Sequence, residues 1–498
     1  MFRHPRQLRA ADVQLYRLCD AAAGGLICLM VVFSPWAFGT TEIWSTWIMN
    51  AAAGLLAVPL LVKLFIRKIK NYPAPRWNVL IAADKIYLPR PAVRAATTAL
   101  AWLTLALLLF CLVSAWNGAA SYDKEKHFFT YHVHLDWLPH SFDSARSWFY
   151  FWTYLGLAVA FWSVRDWLLG RTAEEEKNLH RQNPSASSAL PARLRRLLWL
   201  LALSGTALAV ESIVQRAVGS SKLLFLVQPV VNPEGDTQFG PYAYRANAAQ
   251  YFNLLWPLCL GAWWRLRRDQ ARKIYFLPAA AAVMAACPII SISRGGALVA
   301  AGLLVATAIL FVGTEIIHFA RFGATRRRWI NLILTILVIV TAIGLGWQFG
   351  WEKLSPRMEQ IGDGFSNREQ MYVDARPMAK DYPLFGTGPG TFGTVFQLYR
   401  ISNATYWPEQ LHNDWLETLI TFGWTGLLLA LAALGCVAVA GFFAPRRFAV
   451  MAALALAGCL VHARFDFPFQ IHSIVFLFLL IAAMLLALGA KARSRRGE

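Results

Sequence analysis

His412 stands at the mouth of a long apolar run, followed by Asn413, Asp414 and Glu417, and preceded by a Gly/Pro-rich segment that begins at Tyr382. Histidine is the side chain most easily poised as a base near neutral pH, so His412 is a candidate to take a proton from an attacking hydroxyl, directly or through Asp414 or Glu417. Four arginines fall on the same predicted side of the chain. Arg245 lies in Tyr244-Arg245-Ala246-Asn247, with Asn247 beside it, and Arg294 in Ser293-Arg294-Gly295-Gly296. Arg368 and Arg376 flank Tyr372 at helical spacing. A guanidinium suits bidentate phosphate recognition at a partly dry site. A base beside a cationic cavity is the equipment for displacing a phosphate or diphosphate. A diphosphate leaves readily once its charge is neutralised, so such a transfer needs no nucleotide.

Gly386, Gly388 and Gly390 permit a tight turn whose amides could receive an anion, although the run has no Walker lysine and no Rossmann strand. A second polar cluster, His462, Arg464, Asp466 and His472, reads in two ways. It is a short turn capped by Asp466, or Asp466 or His472 faces the same cavity and orients an arginine or His412. Asp414 also reads as an N-cap. Taken singly, an arginine at a span end is a snorkelling anchor and a histidine at a helix start an interfacial polar group. Their convergence on one face carries the functional reading. The chain has no HExxH, no DxD and no Cys/His cluster of ligand spacing, so no metal and no cofactor are expected.

The elements that must position these groups are membrane helices. Of 498 residues 57% are hydrophobic and only 15% charged, where a soluble chain would carry about 25% charged residues. Apolar runs near 20 residues recur, long enough to cross a bilayer. Twelve spans are expected, at about 20–39, 43–66, 95–116, 147–168, 197–213, 247–264, 274–291, 295–313, 329–348, 423–443, 449–463 and 470–490. With the N-terminus inside, the inner segments hold 32 Lys and Arg and the outer ones 14. That bias is the positive-inside rule, and it accounts for the net charge of +20 without nucleic acid. Both termini are then cytoplasmic and the candidate site lies on the opposite face. The seven cysteines all sit in or beside apolar spans with no CxxC, as small core residues do.

Three outer loops are long: about 117–145, 214–246 and 349–411. Their aromatic content predicts that they pack over the membrane face. Within the longest, Ser366-Asn367-Arg368-Glu369 reads as a capping box opening a short helix that places Arg368, Tyr372 and Arg376 on one face and that Pro377 kinks or ends. The inner loop Arg171–Arg196 reads as a solvated connector, and Asn403-Ala404-Thr405 as a coincidental glycosylation sequon.

Tyr244-Arg245-Ala246-Asn247, Ser293-Arg294-Gly295-Gly296, Arg368 followed by Pro383, Gly386, Gly388, Gly390 and Phe392, and above all His412-Asn413-Asp414-Trp415-Leu416-Glu417 with Gly423 after it, resemble the bacterial O-antigen ligase and O-antigen polymerase family in order and spacing. The resemblance covers about 240 to 475. It implies an all-α, GT-C-like polytopic fold in the bacterial inner membrane, divided as 1–240, a catalytic core at 241–475 that includes the periplasmic loop 349–411, and 476–498. It implies a glycosyltransferase that moves a glycan from an undecaprenyl-diphosphate-linked donor to a hydroxyl acceptor on the periplasmic face. That acceptor is a lipid A core sugar, another carrier-linked glycan or a protein. His412 would be the catalytic group, with Asp414 and Glu417 assisting. Arg245, Asn247, Arg294, Arg368, Tyr372, Arg376 and Gly388 would bind the diphosphate or substrate. Ligase and polymerase are not separable on these motifs. The rival of another class is a transporter of a lipid-linked or anionic substrate, which usually carries its binding groups near the midplane.

Overall fold

The computed structural model describes residues 8–82, 85–180, 190–267, 272–323, 325–401 and 407–492. The sequon and most of the basic C-terminal tail lie outside them. In chain order the helices are α1 (Ala10–Trp36), α2 (Ile43–Ile69), α3 (Pro91–Trp116), α4 (Ser144–Leu168), α5 (Ala173–His180), α6 (Ala192–Val218), α7 (Arg245–Leu266) and α8 (Phe276–Ile290). They continue with α9 (Arg294–Phe322), α10 (Arg326–Gly346), α11 (Glu352–Glu359), α12 (Ile361–Asp381), α13 (Phe392–Val395), α14 (Asp414–Phe442), α15 (Arg446–His462) and α16 (His472–Gly489). Each expected span falls on one of them. Among the described residues nine helices are long and apolar enough to cross a membrane. α4, α7 and α15 are not among these nine.

The case of α7 has a clear physical reason. It carries Asn247, Gln250 and Asn253, all buried, so its hydropathy is low although almost every residue of it is covered by other helices. Asn253 Nδ2 donates to the Gly296 carbonyl at 3.0 Å, and the Gln250 side-chain oxygen meets His462 Nδ1 at 2.8 Å. A helix enclosed by protein can keep polar groups that a lipid-facing helix cannot. Around α7 stand α6, α8, α9, α15 and α16, with Trp256 fully buried and Trp263 stacked on Phe311 of α9. α2, α3 and α14 show the opposite pattern: apolar side chains such as Leu55, Trp102 and Leu428 point outward.

Three details differ from the sequence reading. Two short antiparallel hairpins, β1 (Leu80–Ala82) with β2 (Lys85–Tyr87) and β3 (Ala120–Asp123) with β4 (Phe128–Tyr131), sit in loops of a chain expected to be all-α. The connector after Arg171 contains α5, opened by Glu175, whose carboxylate accepts from the Thr172 amide at 2.9 Å. The helix expected to begin at Ser366 begins at Ile361 and runs through Pro377 to Asp381.

At one end of the bundle Lys63, 1% exposed, bridges Asp20 at 2.9 Å and Asp166 at 2.7 Å. Arg67 and Arg76 also reach Asp166, and Arg193 reaches Asp20. Buried charges persist only when paired, and here the pairing ties α1, α2, α4 and α6 together.

At the other end α14 is broken at Gly423 (φ 62°, ψ −168°). The break frees the Ile420 and Thr421 carbonyls, which accept from the amides of Thr387 at 2.9 Å and Gly388 at 3.0 Å. Reciprocally, Trp424 and Thr425 donate to Pro383 and Leu384 at 2.8 and 3.2 Å. The Gly-rich run thus repairs the interrupted ladder. Only glycine adopts this conformation readily, and a Cβ at position 423 would lie 2.4 Å from the Leu384 carbonyl oxygen. Gly423→Ala is expected to destabilise the protein by about 1–3 kcal/mol or more, read as a lowered midpoint of thermal unfolding in detergent.

Candidate active site

The site is assembled from the chain on either side of His412. Asn413 caps α14, its side chain accepting from the Leu416 amide at 3.2 Å. Glu417 reaches back to accept from the Leu411 amide at 2.8 Å. Asp414 accepts from the Phe469 amide at 2.7 Å and from Gln470 at 3.3 Å, while its own amide donates to the Ala463 carbonyl at 2.9 Å. The Tyr372 hydroxyl donates to the His412 carbonyl at 2.8 Å. Clamped from both sides, His412 adopts φ 57°, a left-handed conformation uncommon outside glycine.

Its imidazole is thereby turned to Asp466, with Nδ1 and Oδ1 3.0 Å apart. A carboxylate only accepts, so Nδ1 carries the hydrogen and Nε2 of the neutral ring is left as the basic nitrogen. Among the described residues nothing hydrogen-bonds Nε2. The rings of Tyr244 and Phe467, stacked on each other at 5.3 Å, meet the imidazole edge-on at 5.8 and 4.7 Å. The other oxygen of Asp466 accepts from the Tyr244 hydroxyl at 3.2 Å and lies 3.9 Å from Arg368. Arg368 also donates to the Tyr244 oxygen at 3.2 Å and to the Phe465 carbonyl. Burial pushes the Asp466 carboxyl up, but the hydrogen bond from His412, with Arg368 behind it, holds it down at about 2. Burial and the neighbouring Asp466 carboxylate push the Tyr244 phenol well above its ordinary range.

Beyond this triad opens a cavity of about 370 Å³. Arg245, Arg294, Arg357 and Arg368 line it, and Asp466 is the one carboxylate among its described walls. Arg245 donates to the Asp236 carbonyl at 2.5 Å and Arg294 to the Gln360 carbonyl at 2.8 Å, contacts that hold each guanidinium without neutralising it. The cavity continues as an apolar gutter between α9 and α15, along Leu298, Leu303, Leu454 and Val461. A cationic head and a hydrocarbon gutter fit a phosphorylated lipid. His412 is not a wall of the cavity; Asp466 and Tyr244 join the two.

Arg245, Arg294 and Arg368 therefore converge as expected from the sequence, whereas Tyr372, expected to bind substrate, spends its hydroxyl on the His412 carbonyl and is not a wall of the cavity. Four other expectations are corrected. Asp414 and Glu417 are buried and turned to backbone amides, so they brace the loop instead of facing the cavity. The Gly388 amide is taken by the Thr421 carbonyl and is not offered to an anion. Arg376 is exposed and lies outside the cavity wall, because this turn of α12 packs Ala375 and Met378 into a separate cluster with Phe392 and Ile420. Asn247 is buried in α7 and does not line the cavity. Of the two readings of the C-terminal cluster, Asp466 takes the one in which it faces both His412 and an arginine. Arg357 went unnoticed; its one sequence signal was a basic residue in the same long loop.

Residues 279–431 match the family model described as O-antigen ligase. This stretch is what the chain shares with that family. The match bears out the resemblance read from the motifs and ties the protein to membrane-bound glycan ligation or polymerisation. No curated protein matches the chain. The matched segment contains Arg294, Arg357, Arg368 and His412, whereas Tyr244, Arg245 and Asp466 lie outside it.

The depressed Asp466 carboxyl contributes stability that is fully present above its ordinary value of 3.8 and lost as pH falls through about 2. Thermal unfolding of wild type in detergent should therefore decline between about pH 4 and 2 by more than that of Asp466→Asn, which starts lower and changes less over this range.

Proposed function

We propose that the protein is a glycosyltransferase of the inner membrane that moves a glycan from an undecaprenyl-diphosphate carrier to an acceptor hydroxyl on the periplasmic face. One observation carries this reading: an imidazole with a free Nε2, oriented by a carboxylate that is itself a wall of a four-arginine cavity opening on an apolar gutter. The carrier's diphosphate lies among Arg245, Arg294, Arg357 and Arg368, and its polyprenyl chain runs down the α9–α15 gutter. The acceptor oxygen attacks the anomeric carbon from the side of His412. Its proton passes to Nε2 as the new carbon–oxygen bond forms. The bond between the anomeric carbon and the phosphate oxygen breaks, and its electron pair leaves with the diphosphate. A single displacement of this kind inverts the anomeric centre. The guanidinium groups stabilise the charge that develops on the leaving group, the kind of electrostatic assistance that often contributes most to a rate. Asp466 positions the imidazole and stabilises its cationic form, as the carboxylate of a hydrolase triad does.

The acceptor, whether lipid A core, a second carrier-linked glycan or protein, decides between ligase and polymerase. Purified protein given carrier-linked glycan should release carrier diphosphate coupled to glycan transfer, with that substrate alone if it is a polymerase and only with added lipid A core or protein if it is a ligase. A transporter would release none. His412→Ala should lower transfer by about 10²–10⁴-fold at unchanged unfolding temperature. A variant that folds and transfers at the normal rate would remove His412 from the mechanism. Arg368→Gln is expected to cost about 10²–10³-fold in the same assay.

A further inference from the structure

The end of the bundle opposite His412 holds a second basic cavity that the reaction does not use. It is about 430 Å³ in volume and lies between α1 and α6, over the last turn of α4. Arg17, Arg193 and Arg196 line it against one carboxylate, Asp20. That carboxylate is already taken. Lys63 holds one oxygen at 2.9 Å, and Arg193 holds the other at 2.5 Å. Arg193 is fixed further by the carbonyls of Trp167 at 2.9 Å and Arg171 at 3.3 Å. Arg17 and Arg196 are exposed, and among the described residues neither has an acidic partner. The cavity therefore carries uncompensated positive charge: Arg17 meets only the neutral Tyr72 hydroxyl, and Arg196 is left to turn toward a ligand.

Its other wall is apolar and small. Ala21, Gly24, Gly25 and Cys28 form one side of α1 and continue the cavity toward the middle of the bundle. Gly24 is required by the crossing of Trp167, whose indole nitrogen would lie 2.6 Å from a Cβ there. Gly25 has nothing within 4 Å of where a Cβ would stand. The notch thus joins a cationic mouth, at the level where three helices end, to an open channel with hydrocarbon-like walls.

We propose that this notch is a binding site for one anionic phospholipid, its phosphate between Arg17 and Arg196 and an acyl chain along the Ala21–Cys28 side of α1. Basic pockets between membrane helices recognise such head groups at the cytoplasmic surface. The positive-inside bias spreads charge along every inner loop, but it does not require a concave site with an open channel beneath it. The occupant would brace α1 against α6 beside the buried Lys63 network, remote from the transfer site.

Native mass spectrometry of the full chain in detergent, with phosphatidylglycerol or phosphatidylcholine added, tests this. Wild type should retain one phosphatidylglycerol under conditions that strip phosphatidylcholine. Each arginine removed should weaken retention by about fivefold, and Arg17→Gln with Arg196→Gln by about 30-fold. Gly25→Leu, which leaves the charge unchanged and fills the channel, should also abolish retention. Lys68→Gln with Arg94→Gln removes the same charge at exposed positions outside the notch and should leave retention intact. Equal loss in that control would overturn the proposal in favour of diffuse attraction. Equal retention of phosphatidylcholine would overturn it as well. Inorganic phosphate that binds alone, and as well to Gly25→Leu as to wild type, would make the site one for free anions and refute the lipid.

Discussion

Asp466 gives one oxygen to the His412 imidazole and the other to Tyr244, with Arg368 behind. Those partners come from three separate parts of the chain, the start of α7, α12 and the lead-in to α14, while Asp466 itself lies in the turn between α15 and α16. A buried carboxylate is stable only if such partners are all in place, so the assembly of the outer end and the ionisation of this one group are the same event. The loop that carries His412 depends on it too, since Asp414 anchors to the segment that follows Asp466. Geometry at the imidazole is thus a property of the whole helical bundle and not of a local motif.

The same economy appears at Gly423. A continuous helix would have sealed its own backbone and given the Gly-rich run nothing to hold. The interruption leaves two carbonyls and two amides unsatisfied, and the stretch Pro383–Gly388 supplies the complement to each. That junction sets where the lead-in to His412 begins. Above it, Arg146 pairs with Glu409 at 2.5 Å, and the β3–β4 hairpin lays His127 and Tyr122 against Trp407 at 5.0 and 6.5 Å. The aromatic loops pack over one end of the bundle as their composition indicates.

Much of this was legible in the sequence because the bilayer imposes so strong a pattern. Lengths of apolar runs gave the helices, unusual polar residues at their ends gave His412, Arg245 and Arg294, and helical spacing within the longest loop gave Arg368. What stayed hidden was the direction in which a polar side chain points. Asp414 and Glu417 have the chemistry of catalytic acids, and only the fold shows that their partners are amides about 55 and 6 residues away. Gly388 has the flexibility of an anion loop, but its amide was claimed by a helix whose break at Gly423 no periodicity announces. Arg376 follows Tyr372 at helical spacing, yet a cavity only partly flanked by α12 cannot reach both turns. Asp466 was half-visible, since a carboxylate beside two histidines can cap a turn or face a partner, and spacing does not choose.

The burial of α7 has a consequence for how the protein is made. During synthesis α7 leaves the ribosome before α9, whose Gly296 carbonyl accepts from Asn253, and before α15, whose His462 meets the Gln250 oxygen. A segment bearing Asn247, Gln250 and Asn253 partitions poorly into lipid by itself. It must therefore be held by α6 and α8, or by the insertion machinery, until the C-terminal helices arrive. Truncation of the last two spans would uncover the α15 side of α7 and leave Gln250 facing hydrocarbon chains, so the helix is completed only when its latest-made neighbours arrive.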